Sequence, residues 1–187
     1  MSSQLVFGAL LAVVALHRLA EVWVSRARLR AREEHLVAEP ALFPLMVTLH
    51  VGLIVAPLAE VMLLGRPFLP LLAALAGGVA VLATALRIWT LRTIGEAWNV
   101  RVVVPHEEHI VTSGPYAWVR HPNYLVVILE IAALPLLHGA WISAIGLTLL
   151  NALVLWRRIG TEEAALSRLP AWREAMADRP RLFPGIL

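Results

Sequence analysis

The sequence predicts an all-α integral membrane protein of five transmembrane helices, the last two forming a C-terminal helical hairpin. Three observations carry that expectation. Of 187 residues, 59% are hydrophobic and 16% charged, with a mean hydropathy of +0.74, which is too apolar for an ordinary water-soluble domain. Apolar runs close to the ~20 residues needed for a crossing recur along the chain. The basic residues, 16 Arg and no Lys, cluster after alternate runs, as a fixed membrane orientation requires.

The first run, Leu5 to Val24, is interrupted by His17, Arg18 and Glu21 and followed by Arg26, Arg28, Arg30 and Arg32. No positive charge precedes it, so it reads as a retained helix and not a cleaved signal. The second run, Ala41 to Leu64, contains Pro44 and Pro57; the third, Phe68 to Leu86, is uncharged. Gly65-Arg66-Pro67 alone separates them, so they form a tight antiparallel pair. From Leu125 to Trp156 a longer stretch is broken at Pro135 and His138-Gly139, and at ~1.5 Å per residue an unbroken helix would overshoot a ~30 Å core. It therefore folds back as a hairpin.

With the loop after the first span in the cytoplasm, fourteen Arg fall on that side and Arg66 alone on the other. Trp23, Trp89 and Trp156 sit at the same ends, where an amphipathic indole prefers to lie. The expected N-terminus is outside. Two cytoplasmic segments remain: 91–123, whose Val100–Thr112 stretch allows a small β-hairpin, and 157–187, where Thr161 to Ala177 suits an interfacial amphipathic helix unless Pro170 breaks it. The chain divides into a three-span region, 1–90, and a region 91–187 that gathers the polar chemistry.

Composition excludes several chemistries. Without cysteine there are no disulfides or thiolate sites, and without lysine no Schiff bases. No glycine-rich nucleotide loop is present, and Gly77-Gly78 lies in an apolar span. His106, Glu107, Glu108 and His109 read as a solvated turn, and no metal is assigned. No nucleic-acid partner is expected.

Two clusters flank the hairpin and should meet at one cytoplasmic surface: Gly114-Pro115-Tyr116 with Arg120-His121-Pro122-Asn123-Tyr124, and Arg157-Arg158-Ile159 with Glu162-Glu163 and Leu166. Together they resemble the isoprenylcysteine carboxyl methyltransferase family of integral membrane enzymes. The resemblance runs from about Gly95 to Pro184, with Gly95 and Trp98 before the hairpin and Arg181-Leu182-Phe183-Pro184 at the end.

That resemblance implies S-adenosylmethionine in a cytoplasmic pocket, with Tyr116, Arg120, His121, Pro122, Tyr124, Glu162 and Glu163 as cofactor-binding residues. It also implies a lipid or lipidated acceptor entering from the bilayer of, in a bacterium, the inner membrane. Residue chemistry agrees, since aromatic faces suit adenine and sulfonium, carboxylates suit ribose hydroxyls, and Arg suits a carboxylate. Val126 stands where many members have Gly, and Trp172 stands for their C-terminal Tyr. The regions 125–130 and 151–163 look closer to small bacterial members acting on long-chain polyketide lipids than to enzymes of prenylated proteins.

For the chemistry itself, Glu130, Arg157 and Arg158 are the catalytic candidates. A carboxylate acceptor needs Arg to position it; a phenol or enol needs a proton acceptor, for which Glu130 or His121 is available. Glu130 in a span is costly unless paired, and its structural alternative is a hydrogen bond to Asn151 or Thr148. Glu60 and His50 are expected to serve packing or interhelical bonding. The expected activity is O-methylation of a phenolic or enolic lipid or of an isoprenylcysteine carboxylate. The rivals are headgroup N-methylation and a non-enzymatic transporter or scaffold.

Overall fold

The computed structural model describes residues 2–31, 42–100 and 110–183. Six helices follow in order: α1 (Ser2–Ala31), α2 (Phe43–Leu64), α3 (Pro70–Ile94), α4 (Pro122–Leu136), α5 (Trp141–Leu166) and α6 (Pro170–Met176). Among the described residues, 3-10 turns at Gly95–Ala97 and Gly114–Ala117 lie between α3 and α4. No strand occurs among the described residues. The β-hairpin expectation centres on 101–109, outside the described residues, as do His106 and His109.

Proline sets many of the starts. It occupies the first turn of α2, α3, α4 and α6, where a missing N–H costs nothing. Glycine sets ends: Gly65 (φ 59°) closes α2 and Gly95 (φ 58°) closes α3, in conformations that spare glycine a side-chain clash. The expected amphipathic helix over 161–177 is instead two pieces, because α5 runs on to Leu166 and Pro170 opens α6. α3 likewise continues past Leu86 to Ile94, carrying Arg87, whose charge is met by Glu21 of α1.

Among the described residues four helices, α1, α2, α3 and α5, are long and apolar enough to cross a membrane. The hairpin falls where expected, but α4 has 15 residues, a rise of ~22 Å at ~1.5 Å per residue against a ~30 Å hydrocarbon core. The expectation of five full spans is therefore corrected to four plus one shorter apolar helix. Two chain features shorten α4. The His121 N–H bonds to Arg181 O at 3.0 Å instead of a helical carbonyl, and Gly139 (φ 68°) turns the chain three residues after α4 ends.

α4 lies between α3 and α5, and α2 packs on α5. Leu49, Leu53, Val127, Ile131, Leu134, Leu147 and Val154 form the core between α2, α4 and α5. Outward faces carry Leu5, Val13, Leu63, Leu71, Val81 and Leu153, all more than half exposed, as lipid-facing positions would be. At the end away from most Arg, Glu60 accepts hydrogen bonds from Ser143 N and Oγ (2.7 Å each), Ile142 N (3.2 Å) and Arg66 Nε (2.8 Å). It thus caps α5 and pins the hairpin turn to α2, the interhelical role expected of it.

Candidate functional site

One piece of the site is the turn Gly114–Ala117. Gly114 has φ +57°, and a Cβ there would stand 2.5 Å from Thr93 Oγ1, so only glycine lets this turn seat on α3. That seating directs Tyr116 towards the start of α4. Burial, with the Glu162 carboxylate nearby, pushes the Tyr116 phenol above its ordinary value of 10.0, so it stays a neutral hydrogen-bonding group.

Behind the turn, a strap of chain after α6 holds the loop before α4. Arg120 N donates to Pro180 O (2.9 Å), Arg120 Nη2 to Ala177 O (2.9 Å) and Arg120 Nε to Arg179 O (2.6 Å). Arg179 donates to Thr112 O at 3.1 Å and to Tyr116 O. Glu163, buried on α5, is the hub: its oxygens take Arg120 Nη1 (3.1 Å), His121 Nε2 (3.1 Å) and Arg181 Nε and Nη2 (3.0 and 2.8 Å). A carboxylate satisfied by three basic partners is a framework element.

One helical position away, Glu162 accepts from the Tyr124 hydroxyl, and that hydroxyl accepts from Arg158 Nε at 2.6 Å. Arg158 also donates to Val100 O at 2.6 Å and lies over the Tyr124 ring at 5.4 Å. The His121 ring also stacks on Tyr124, 5.3 Å between centroids. Pro122 is fully buried at the first turn of α4 and fixes the angle at which Tyr124 leaves it.

These residues line a cavity of about 450 Å³, within the range of small-molecule sites. Tyr116, Arg120, His121, Pro122, Tyr124, Arg158 and Glu162 line it from the hairpin and the loop before it, and α1 and α2 add Leu19, Val22, Met46, Val47, Ile54 and Val55 together with Arg18, Glu21 and His50. Trp98 and Asn123 also line it, and among the described residues Trp98 Nε1 and Asn123 Oδ1 are buried without a hydrogen-bond partner. A buried orphan donor and acceptor beside one cavity point to a ligand that completes them.

Three expected site residues stand apart. Glu163 does not line the cavity; it sits behind His121. Arg157 is exposed and absent from the lining. Glu130 lines a separate space of about 200 Å³ and pairs with Arg18 of α1, not with Asn151 or Thr148.

What sequence reading missed is the share of α1. Arg87 Nε and Nη2 grip Glu21 at 2.5 to 2.8 Å, and Arg18 Nη1 reaches Glu21 at 2.8 Å while its Nη2 holds Glu130. Two guanidiniums and two carboxylates thus neutralise one another between α1, α3 and α4. Further along α1, Ser25 Oγ donates to Asn99 Oδ1 (2.7 Å) and accepts from Val100 N (3.0 Å), and Arg28 Nη1 donates to Gly95 O (3.0 Å). The signal was legible: His17, Glu21, Ser25 and Arg28 recur every three or four residues, one face of a helix.

Residues 74–168 match the isoprenylcysteine carboxyl methyltransferase (ICMT) family, half of the chain, from α3 to just beyond α5. The chain belongs to that family. As an ICMT-family protein it is a membrane methyltransferase in coarse class. The match begins earlier than the expected Gly95 and takes in Arg87, and it ends before the strap at 177–181.

Among its relatives, the uncharacterized protein YpbQ of Bacillus subtilis is 32% identical over 162 residues, covering 86% of this chain and 96% of that protein. An uncharacterized protein of Haemophilus influenzae is 34% identical over 95 residues, 49% of this chain and 55% of the relative. The protein-S-isoprenylcysteine O-methyltransferase of Schizosaccharomyces pombe is 42% identical over 66 residues, 33% of this chain and 26% of that enzyme.

Proposed function

We propose that the chain is an S-adenosylmethionine-dependent O-methyltransferase whose acceptor is carried on a lipid or lipid-like chain. The observation that carries the reading is a cavity lined both by polar and aromatic residues of the hairpin and by mostly apolar residues of α1 and α2, with Arg18, Glu21, His50 and Arg87 among them. Such a space suits two ligands of unlike character, a nucleoside cofactor from water and an acceptor from the bilayer.

The donor set fits the cofactor. Trp98 Nε1 and Asn123 Oδ1 offer the unpaired donor and acceptor that adenine or ribose groups complement. Glu162, beside the Tyr116 and Tyr124 rings, provides negative charge and π-faces for a sulfonium, and Arg158 provides a cation for a carboxylate. Bound there, S-adenosylmethionine supplies an electrophilic methyl group. Arg120, His121 and Glu163 act by positioning: Glu163 holds His121 against Tyr124, and Arg120 ties the loop to the strap.

Methyl transfer needs alignment and dehydration more than covalent help. Tyr124, bonded to Arg158 and Glu162, ties the start of α4 to the end of α5. Glu130 and Arg157 take revised roles. Glu130 is a counter-charge that holds Arg18 and so α1 against α4, and Arg157 faces the headgroup region as a positive-inside residue. The Arg-rich end is read as cytoplasmic, in a bacterial inner membrane, with the N-terminus outside.

Purified protein incubated with methyl-labelled S-adenosylmethionine and a bacterial lipid extract should transfer label to a lipid of low polarity, read by mass spectrometry. Label appearing only in amine headgroups would favour N-methylation. No labelled lipid, despite folded protein, would favour a scaffold.

A further inference from the structure

His50 of α2 lines the same cavity, among apolar walls, and nothing in the sequence motifs accounts for it. Its Nδ1 lies 2.8 Å from Met46 O, one turn back on its own helix. A carbonyl oxygen only accepts, so in the neutral ring Nδ1 carries the hydrogen and Nε2 presents a lone pair. Among the described residues no group donates to Nε2. The charged groups within electrostatic reach are Arg18 and Glu21 of α1 and Arg87 of α3, which line the cavity with it; α5 contributes Asn151. His50 stands seven residues into α2, ~10 Å along the helix at ~1.5 Å per residue.

The two proton acceptors expected from sequence are both committed elsewhere: Glu130 to Arg18 in the other space, and His121 Nε2 to Glu163. We infer that His50 Nε2 is the proton acceptor for a methyl acceptor that reacts through a hydroxyl group. The inference rests on the methyltransferase reading above and narrows it. A hydroxyl donates into the Nε2 lone pair, and its proton passes to the imidazole as the oxygen becomes the nucleophile. A carboxylate acceptor has no proton to give, so the Nε2 lone pair offers it nothing. In the transfer, the acceptor oxygen forms a bond to the methyl carbon as the methyl–sulfur bond breaks. The hydroxyl proton moves to Nε2, and the sulfur keeps its electron pair as a neutral thioether, so the positive charge passes from sulfonium to imidazolium.

Two measurements test this. Nitrogen-15 NMR of the imidazole in the cofactor-free protein should show Nδ1 protonated and Nε2 bare. The Nε2 resonance should move on adding a long-chain alkylresorcinol and not on adding a fatty acid of equal length. In turnover, His50→Ala and His50→Gln should lower alkylresorcinol methylation by ~10² to 10⁴ while S-adenosylhomocysteine affinity stays within about twofold. His121→Asn should instead weaken that affinity. A protonated Nε2, no response to alkylresorcinol, or wild-type turnover by His50→Gln with normal S-adenosylhomocysteine binding would overturn the assignment. Absence of S-adenosylhomocysteine binding by the wild type would instead remove the methyltransferase reading, and the imidazole titration, which needs no cofactor, still decides the hydroxyl site.

Discussion

Arg158 Nε donates to the Tyr124 hydroxyl at 2.6 Å, and that hydroxyl in turn donates to Glu162, so one phenol couples the start of α4 to two charged residues at the end of α5. Tyr124→Phe keeps the ring and its stacking on His121 but removes both bonds. Hydrogen bonds to charged groups contribute ~1.5 to 3 kcal/mol, so S-adenosylhomocysteine affinity should fall roughly 10- to 100-fold. Calorimetry on detergent-solubilised protein reads it directly.

Glu163→Ala leaves Arg120 and His121 without their shared carboxylate. Removing one partner of a buried pair typically costs ~3 to 5 kcal/mol, and the half-exposed Arg181 places this case at the low end. The melting temperature in detergent should drop clearly. Arg181→Ala, a change at an exposed partner, should cost under ~1 kcal/mol and leave it nearly unchanged.

Gly114→Ala is strained twice, by φ and by Thr93. The φ penalty alone is ~1 to 2 kcal/mol. Adding Thr93→Gly should recover the steric part and leave the backbone part, so the double variant should melt between the single variant and the wild type.

Glu21→Gln should destabilise strongly, because it strips Arg87 of its close carboxylate inside the helix bundle. Replacing both members, Glu21→Met with Arg87→Met, should recover most of the loss, since a well-packed apolar pair often equals or exceeds a buried ion pair. Thermal melts of the two variants decide it; a double variant as unstable as Glu21→Gln would mean the pair is needed for shape.

Arg157→Ala should keep turnover within about twofold, an exposed charge being worth little. Arg158→Ala, which removes the bonds to Tyr124 and Val100, should lower it by more than tenfold through loss of charge-assisted hydrogen bonds. Equal effects would return Arg157 to the site.

The helical hairpin and the meeting of the two motif clusters were legible because proline, glycine and apolar run length act locally. Tyr124 with Arg158 and Glu162 were readable as motif residues for the same reason. Glu130 was misread in its partner because Arg18 is 112 positions away, and pairing across that separation leaves no mark on local periodicity. Glu162 and Glu163 could not be told apart in sequence; about 100° of helix rotation separates them, turning one to the cavity and the other to the Arg120 loop. α4 was counted as a full span because the stretch 125–156 is too long for one crossing and was divided into two, whereas the start of α4 is set by backbone bonds to Pro180 and Arg181, residues a sequence window does not connect.

If the cavity joining Trp98, Asn123, Tyr124 and Glu162 holds the cofactor, titration of S-adenosylhomocysteine into the purified wild-type protein should give a saturable one-to-one heat. That heat should be lost or greatly weakened in Trp98→Ala and Glu162→Ala and kept in His50→Ala. A flat titration with protein that melts cooperatively, or wild-type binding by both Trp98→Ala and Glu162→Ala, would contradict a cofactor site there.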